Sequence, residues 1–426
     1  MKKALIITNK KLYLGPNTYL DQQAITLHIE FETNMNLETL WHTISQKIPE
    51  FKDSSVPKTI GELFARTAVQ VQQLNMNLFA NKWTSQPENG YEVVAFQYID
   101  PVTGDRTVDF VCDWINDIVE GREFPFKVRL TELEHLFSKS SFGGPTIYSI
   151  IEAGYKNGIP MFYIKSEDVF QWGQGRKQLR GRSTVLHRDS IKDTELTSFK
   201  DLAKNFLDDL GFPVPKGMLC YSLREAENAA DQIGYPVVTK PVSGHKGQGV
   251  STNLTCIEDV RIGFEIARDA GENRYDPIIV EKYVVGTDHR LLTISGKFVA
   301  ALQRIPAYVV GNGELSIEEL IHRENNRSVR ADTPRSALGK IKIDDDLVSF
   351  IREKGLSLSD IPAENEIITL RRVANLSAGG VSVNVTDKIH PLNIKLAEDV
   401  ARFLDVHVLG IDLLSEDIAK PWTETS

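Results

Sequence analysis

Pro236-Val-Val-Thr-Lys-Pro-Val-Ser-Gly-His-Lys-Gly-Gln-Gly-Val250 is the stretch on which the reading of this chain turns. A short β-branched run ends in Lys240, and Ser243, Gly244, Gly247 and Gly249 then supply a loop with few side chains before a second β-like run at 250–254. Glycines let backbone N–H groups close around an oxyanion, and a lysine on the preceding strand adds a point charge where phosphate oxygens would lie. The alternative is a plain hairpin, because glycine-rich turns are common. No Gly-Lys-Ser/Thr opens a helix here, which excludes a P-loop, and a dinucleotide fingerprint needs a strand-to-helix turn. A glycine loop between two strands that folds over a nucleotide remains as the functional reading.

Downstream, helical spacing predicts a helix at 258–270 and an apolar run a buried strand at 277–285. Asp288, His289 and Arg290 follow Gly286, and strands at 291–295 and 298–310 meet at a Gly-Lys turn. The polar segment 311–346 has helical portions and is expected to be the most mobile part. A strand at 367–372, a turn at 375–380, a helix at 392–404 and a strand at 406–414 complete this half. Upstream, a helix from 198 ends near Gly211, and a second helix at 223–233 leads into the strand before the glycine loop.

Residues 1–165 mix strands, as at 24–31 and 91–99, with a helix at 60–74, and read as an α+β domain without a catalytic constellation. Between Gln171 and Arg188 the composition turns to Gly, Gln and the basic Arg176, Lys177, Arg180 and Arg182. Charge runs usually face water, so this stretch is expected to be a basic linker at 166–195, with an anion-collecting edge as the functional alternative.

The 426 residues suffice for two or three domains. With 49 basic and 58 acidic residues the net charge is −9, which argues against a general nucleic-acid binder. Three scattered cysteines suggest neither a disulfide framework nor a zinc site, so a reducing cytoplasm fits best. No apolar run approaches the roughly 20 residues needed to cross a bilayer, and no membrane partner is expected.

With these pieces in this order the chain resembles the ATP-grasp superfamily, and within it the cyanophycin synthetases. The resemblance is carried by Val237-Val-Thr-Lys-Pro241 with its glycine loop, by 280–292 (Val-Glu-Lys-Tyr-Val-Val-Gly-Thr-Asp-His-Arg-Leu-Leu) and by Gln303-Arg-Ile-Pro-Ala307. Leu370-Arg-Arg-Val-Ala-Asn-Leu-Ser-Ala-Gly-Gly380, Val385-Thr-Asp387 with His390-Pro391, and Gly410-Ile-Asp412 add to it. Leu14-Gly-Pro-Asn17, Gly144-Pro-Thr146 and Trp172-Gly-Gln-Gly-Arg-Lys-Gln178 extend a weaker match to the N-terminal region. The implied architecture is α+β: an ATP-grasp fold of two α+β subdomains clasping ATP at 196–426, preceded by the N-terminal α+β domain.

Cyanophycin synthetases build a polyaspartate backbone bearing arginine on its side chains. Their ATP-grasp domain activates the terminal carboxylate and adds aspartate, and a following Mur-ligase-like domain adds arginine. The resemblance therefore implies an ADP-forming carboxylate–amine ligase that uses ATP and Mg²⁺. Its substrates would be aspartate, or a β-Asp-Arg dipeptide, and a polyaspartate-type peptide; the resemblance also implies a homo-oligomer, a tetramer.

The resemblance also implies roles. Lys240 and Lys200 match lysines that meet the α- and β-phosphates, with a surface helix lysine as the alternative for Lys200. Glu281, Lys282 and Val284 match a hinge that reads adenine mostly through backbone groups, and Asp288 the acid that holds the ribose. Glu281 lies in a buried strand and needs a partner in any case, so a structural salt bridge stays open. Arg290, Arg304 and Arg372 suit carboxylate and phosphoryl groups, with a surface ion pair as the alternative for one of them. Asn375 and Ser377, in a Gly-bounded turn, are candidates to hold the γ-phosphate or acyl phosphate. Asp412, in a hydrophobic strand where a carboxylate is costly unless a cation faces it, is assigned to Mg²⁺. His245 and His390 are candidate substrate contacts or ordinary hydrogen-bonded histidines.

The family's next strand, with a Glu-x-Asn pair of further magnesium ligands, and its Mur-like region do not follow within this sequence; the chain is expected to be part of a longer one, since an unpaired last strand is a liability, with a short protein whose metal site is incomplete as the alternative. His245, Lys246 and Gln248 stand where family members tend to have Asn, His and Arg, and 64–69 lacks the usual Glu-His pair. These departures keep ATP binding and leave the acceptor open. A ligase for other amino acids or peptides, and an inactive nucleotide- or polymer-binding homologue, are the alternatives.

Overall fold

A computed structural model of the chain describes residues 4–32, 36–51, 54–76, 80–140, 145–198, 200–243, 249–271, 273–330 and 338–424. The chain divides into two compact units, one running to Leu186 and the other beginning at His187.

In the first unit, Leu5–Tyr13, Ala24–Phe31, Tyr91–Gln97 and Trp83–Glu88 lie side by side in that order as an antiparallel sheet. The helices Ile60–Gln73 and Pro101–Val119 bury their apolar stripes with it, through Leu63, Phe64, Val108, Phe110 and Val111. Asp100 caps the second helix by accepting from the Thr103 amide, one of the four donors a helix start leaves unpaired.

The stretch expected to be a linker is folded. Met161–Ile164, Val169–Trp172, Leu179–Arg182 and Val185–Leu186 form a second antiparallel sheet whose Met161, Phe170 and Trp172 join the same core. Its basic residues obscured a period of two: Arg180 and Arg182 are exposed, while Gly181 between them is buried. Arg182 pairs with Asp168 at 2.8 Å and Arg180 donates to Gln171 at 2.7 Å.

The second unit contains two four-stranded antiparallel sheets. In the first, Ser251–Leu254, Val237–Pro241, Ile278–Lys282 and Gly217–Cys220 are neighbours in that order. Val237, Val280, Ile278 and Cys220 point to one face and pack with helices Leu223–Ile233 and Ile257–Ala270. In the second, Val381–Asn384, Lys297–Ile305, Thr287–Ile294 and Val408–Ser415 are neighbours. Leu291, Ala301 and Leu409 face helix Pro391–Leu404. The helical pieces at 191–209 complete this core, with Phe206 and Leu207 against Val400 and Leu404.

Between the strands Lys297–Ile305 and Val381–Asn384 the chain builds a smaller layer. A two-stranded ladder, Tyr308–Val310 with Ile367–Thr369, shares a core with helices Ile317–Asn325 and Asp345–Glu353. Ser316 and Glu319 form a reciprocal capping box at the first of these helices, so this part of the segment expected to be most mobile is a defined element. Asp344 caps the second helix from outside its first turn, accepting from the Leu347 amide at 3.0 Å. It also accepts from the buried Arg371 guanidinium at 2.7 Å. Partial burial would raise the Asp344 carboxyl, but Arg371 and the Leu347 amide outweigh it and hold the group below the usual carboxylate range.

A depressed carboxyl adds stability that is present above its unfolded pKa of about 3.9 and is lost as pH falls through the folded value. Asp344→Asn keeps the cap acceptor and removes the charge, so it is expected to cost about 1 kcal/mol near neutral pH, where one charged hydrogen bond weakens. Thermal unfolding followed from pH 7 to pH 3 should show the gap between wild type and variant closing as the acid limit is approached. A gap that stays constant with pH contradicts the assignment.

Candidate functional site

The two sheets of the second unit share a plan. Each turns one face to helices and leaves charged side chains on the other. On Val237–Pro241 and Ile278–Lys282, Lys240 lies opposite Ile279 and Val238 opposite Glu281, so all four share the face away from the helices. Lys240 donates to Glu281 Oε1 at 2.5 Å, and Lys204, from the helix Lys200–Asp209, donates to Oε2 at 3.1 Å. Glu281 is 8 % exposed, so its carboxylate is stabilised by both cations together. Gly217 makes this possible: it lies opposite Glu281 on the next strand, and a Cβ there would collide with the Lys204 ammonium. The salt-bridge alternative for Glu281 is therefore the arrangement seen.

Lys204, one helical turn beyond Lys200, is a residue the sequence reading missed. Its signal was the i, i+4 spacing from Lys200 in the sequence. The side chains of Lys200 and Ser377, and all of Gly244, Gly247 and His245, lie outside the described residues. Gly249, which closes the glycine loop, has a φ of 71° and abuts Ala267 and Ala270. Ser243 donates to Asp276 at 3.1 Å.

The segment 281–284, expected to be the adenine hinge, is tied down by its own backbone. The Lys282 amide donates to Lys216 O at 2.7 Å and the Tyr283 amide to Pro236 O at 3.1 Å. The Lys282 ammonium donates to Gly234 O and Tyr235 O, at 3.0 and 2.9 Å, where helix Leu223–Ile233 ends and carbonyls carry its negative dipole. Lys282 thus braces the hinge. Val284 beyond it is half-buried.

On the second sheet, Asp288 lies directly opposite Arg304, and Arg290 directly opposite Asp412. Arg304 reaches Asp288 Oδ1 at 2.7 Å and Asp412 Oδ1 at 2.9 Å, and Arg290 reaches the same Asp412 oxygen at 2.8 Å. Burial alone would lower the Arg304 pKa, but the two aspartates outweigh it and push the guanidinium further towards its charged form. Gly410 lies beneath Arg290, where a Cβ would occupy the space of the guanidinium.

Asp412 corrects one premise of the sequence reading. Its strand is apolar in composition, yet Asp412 points to the open face of an edge strand and its side chain is 56 % exposed. No burial cost demands a metal; the arginines already neutralise it. Both arginines use Oδ1, which leaves Oδ2 for a cation. Among the described residues no three His, Cys, Asp or Glu side chains converge as a metal cage. Magnesium is commonly held by one or two carboxylates with substrate phosphates and water, so one such oxygen fits a metal that arrives with a nucleotide.

Three other candidates lie on other elements than these two sheet faces. Arg372 donates to Glu353 and stacks over Phe350, 5.1 Å from the ring centroid, at the exposed side of helix Asp345–Glu353. It makes the surface ion pair left open for one of the arginines, because the strand Ile367–Thr369 pairs in the small ladder and not in the four-stranded sheet. His390 caps helix Pro391–Leu404, its Nδ1 accepting from the Leu392 amide at 3.1 Å. Asn375 begins the short turn Leu376–Ala378, and its carbonyl accepts from the amides of Ala378 and Gly380, both at 3.0 Å. Two neighbours lie on the helix-facing sides of these sheets. His289 is buried on the helix-facing side, which lowers its pKa and keeps it neutral near pH 7. Burial pushes the Cys220 thiol up to about 11.

Residues 200–290, which include Lys240, Glu281 and Asp288, match the family model described as "Carbamoyl-phosphate synthase L chain, ATP binding domain". Over 369 residues the chain is 33 % identical to the cyanophycin synthetase of Crocosphaera subtropica, covering 85 % of this chain and 42 % of that protein. The chain has an ATP-grasp fold and is related in sequence to the cyanophycin synthetases. This ATP-grasp protein is also 32 % identical, over 272 residues, to the glutathione biosynthesis bifunctional protein of Streptococcus agalactiae, covering 63 % of this chain and 36 % of that one. It spans less than half the length of these curated relatives. The crystal structure of a bifunctional glutathione synthetase from Pasteurella multocida aligns with 93 % of this chain and 76 % of its own, at a TM-score of 0.49 and 18 % identity. Among the described residues no helix is long and apolar enough to cross a membrane.

Replacing Gly410 by Ala is expected to move the flexible end of Arg290 off Asp412 while Arg304 keeps its two aspartates. The stability cost should be small, about 0.5 kcal/mol, as for an exposed ion pair, and should disappear when the change is made in an Arg290→Ala background. A crystal structure of the single variant and thermal melts of the four-member cycle check this; an equal cost in both backgrounds counts against it.

Proposed function

We propose that this chain carries the ATP-using site of an ADP-forming carboxylate–amine ligase of the cyanophycin-synthetase type. It adds aspartate, or a β-Asp-Arg dipeptide, to the C-terminal carboxylate of a polyaspartate-type peptide. The observation that carries this reading is the paired charge arrangement: Lys204 and Lys240 about Glu281 on one sheet, and Arg290 and Arg304 about Asp288 and Asp412 on the other. The 33 % identity to a cyanophycin synthetase supports the substrate class.

Transferring the γ-phosphoryl group of ATP to a carboxylate brings anions together, and fixed cations lower that barrier most effectively. In this reading Lys240 turns from Glu281 to the nucleotide phosphates, while Lys204 continues to neutralise Glu281. Glu281, Lys282 and Val284 form the adenine-side hinge. Because the Lys282 and Tyr283 amides are already donated, the Val284 backbone is the group we assign to the base. Asp288 accepts from the ribose hydroxyls, held in place by Arg304. Arg290 and Arg304 face the transferring phosphoryl group and the acceptor carboxylate, and Ser243, Gly244, Gly247 and Gly249 supply amides over the phosphates. Asn375 and Ser377 hold the γ-phosphate or acyl phosphate from their turn. When bound, Mg²⁺ supplies charge neutralisation between phosphate oxygens, and Asp412 Oδ2 would hold it. The incoming amine then displaces phosphate from the acyl carbon.

The likeness to a glutathione biosynthesis protein favours one second reading, a ligase of this mechanism that joins other amino acids or short peptides. ADP release measured with ATP and Mg²⁺ separates the two. Stimulation by a cyanophycin primer with aspartate or β-Asp-Arg supports the first reading, and stimulation only by other pairs in an amino-acid and peptide screen supports the second. Lys240→Ala is expected to lower kcat/KM about 100-fold, the scale for losing one preorganised charge contact at a transferring group. Asp412→Asn is expected to raise the Mg²⁺ concentration needed for half-maximal rate. ADP formation that no carboxylate and amine together accelerate removes both readings.

A further inference from the structure

Arg330 is deeply buried in the second unit, with its side chain 1 % exposed. Among the described residues its guanidinium ties three acceptors together. Nε donates to Glu324 Oε1 at 2.9 Å, at the end of helix Ile317–Asn325, and Nη1 donates to Gly339 O at 2.8 Å and to Gly379 O at 3.0 Å. Gly379 ends the turn Leu376–Ala378 in the left-handed region, at a φ of 90°. A Cβ at Gly379 would collide with Ile341, which is itself pinned through its N–H and C=O to the side chain of Asn325, at 2.8 and 2.9 Å. On its other side the turn is backed by Ile305, whose carbonyl lies against Gly380. The turn is therefore gripped between a strand of the four-stranded sheet and the end of a helix, and Arg330 is the charged link on the helix side.

A buried guanidinium shared among one carboxylate and two carbonyls costs desolvation that a purely apolar contact avoids. What it gives is directional: a planar fork fixes the relative placement of three acceptors in a way one hydrophobic side chain does not. We infer, resting on the ligase reading above, that Arg330 is a positioning residue that holds the Asn375–Gly380 turn at the distance its phosphoryl contacts require. It touches neither nucleotide nor acceptor; it acts through the Gly379 carbonyl. The small helical layer around 317–342 thereby becomes the frame for a phosphate-holding turn, a role no motif in that layer announces.

The test uses the whole chain with Arg330→Met and Arg330→Lys. The lysine variant keeps the charge, loses the fork, and guards against the methionine variant failing to fold. In ligand-free protein, hydrogen exchange of the peptide covering 375–380 should rise about 10-fold or more in both, while amides of the strand Ile278–Lys282 stay within about twofold of wild type. Per folded molecule, kcat for ADP formation should fall about 10- to 100-fold with the KM for ATP nearly unchanged, the pattern of a contact made in the transition state and not in ground-state binding. Unchanged exchange at 375–380, or exchange that rises equally in every segment, overturns the positioning role. If exchange rises locally while the wild-type chain itself forms no ADP with any substrate pair, the positioning role survives and the ligase reading fails.

Discussion

A β-strand offers two faces, and in the second unit each four-stranded sheet spends one on sealing a core. The residues left over by that constraint make the candidate site. In 237–241, Val237 and Thr239 take the buried face, so Val238 and Lys240 must take the other; in 278–282 the same parity sends Ile279 and Glu281 there. A slip of one residue in 237–241 would turn Lys240 under the helices and Val237 out of the core. Core packing and site assembly are for this reason one problem, and every mutation that shifts register in these strands alters both.

The charges so placed do not wait unpaired. Glu281 occupies Lys240 and Lys204, and Asp288 and Asp412 occupy Arg304 and Arg290. Unpaired cations gathered on one face would repel each other and strain the sheet, so the carboxylates make the ligand-free state tolerable. An anionic ligand must compete for the same cations. The binding free energy is then a difference between two sets of ion pairs, smaller than the raw attraction between phosphate and lysine suggests.

Much of this was legible in the chain before any coordinates. The strand that carries Lys240, the acid in its partner strand and the order of Arg290, Arg304 and Asp412 could be read because strand patterns and motif order are local properties. What escaped depends on distant residues meeting. Lys204 reaches Glu281 only because Gly217, on a third strand, has no side chain, and Arg290 lies flat only because Gly410 is beneath it. Arg330 gave no sign, since its three acceptors come from positions 324, 339 and 379. The basic stretch near Arg180 was taken for a linker because charge hid an alternation that the sheet makes plain. Asp412 lies on the strand expected for it, but its assignment to Mg²⁺ rested on burial, and the edge position leaves it exposed.

The double attachment of Glu281 has an outcome for turnover. An acid held by a single cation would be stranded whenever that cation left for another anion, and the molecule would have to absorb the full penalty at each cycle. With Lys204 staying behind as a resident counter-ion, Lys240 is free to commute. In the proposed ligase the strand would thus lend out one charge as a nucleotide arrives and take it back as the product leaves, without exposing a naked carboxylate.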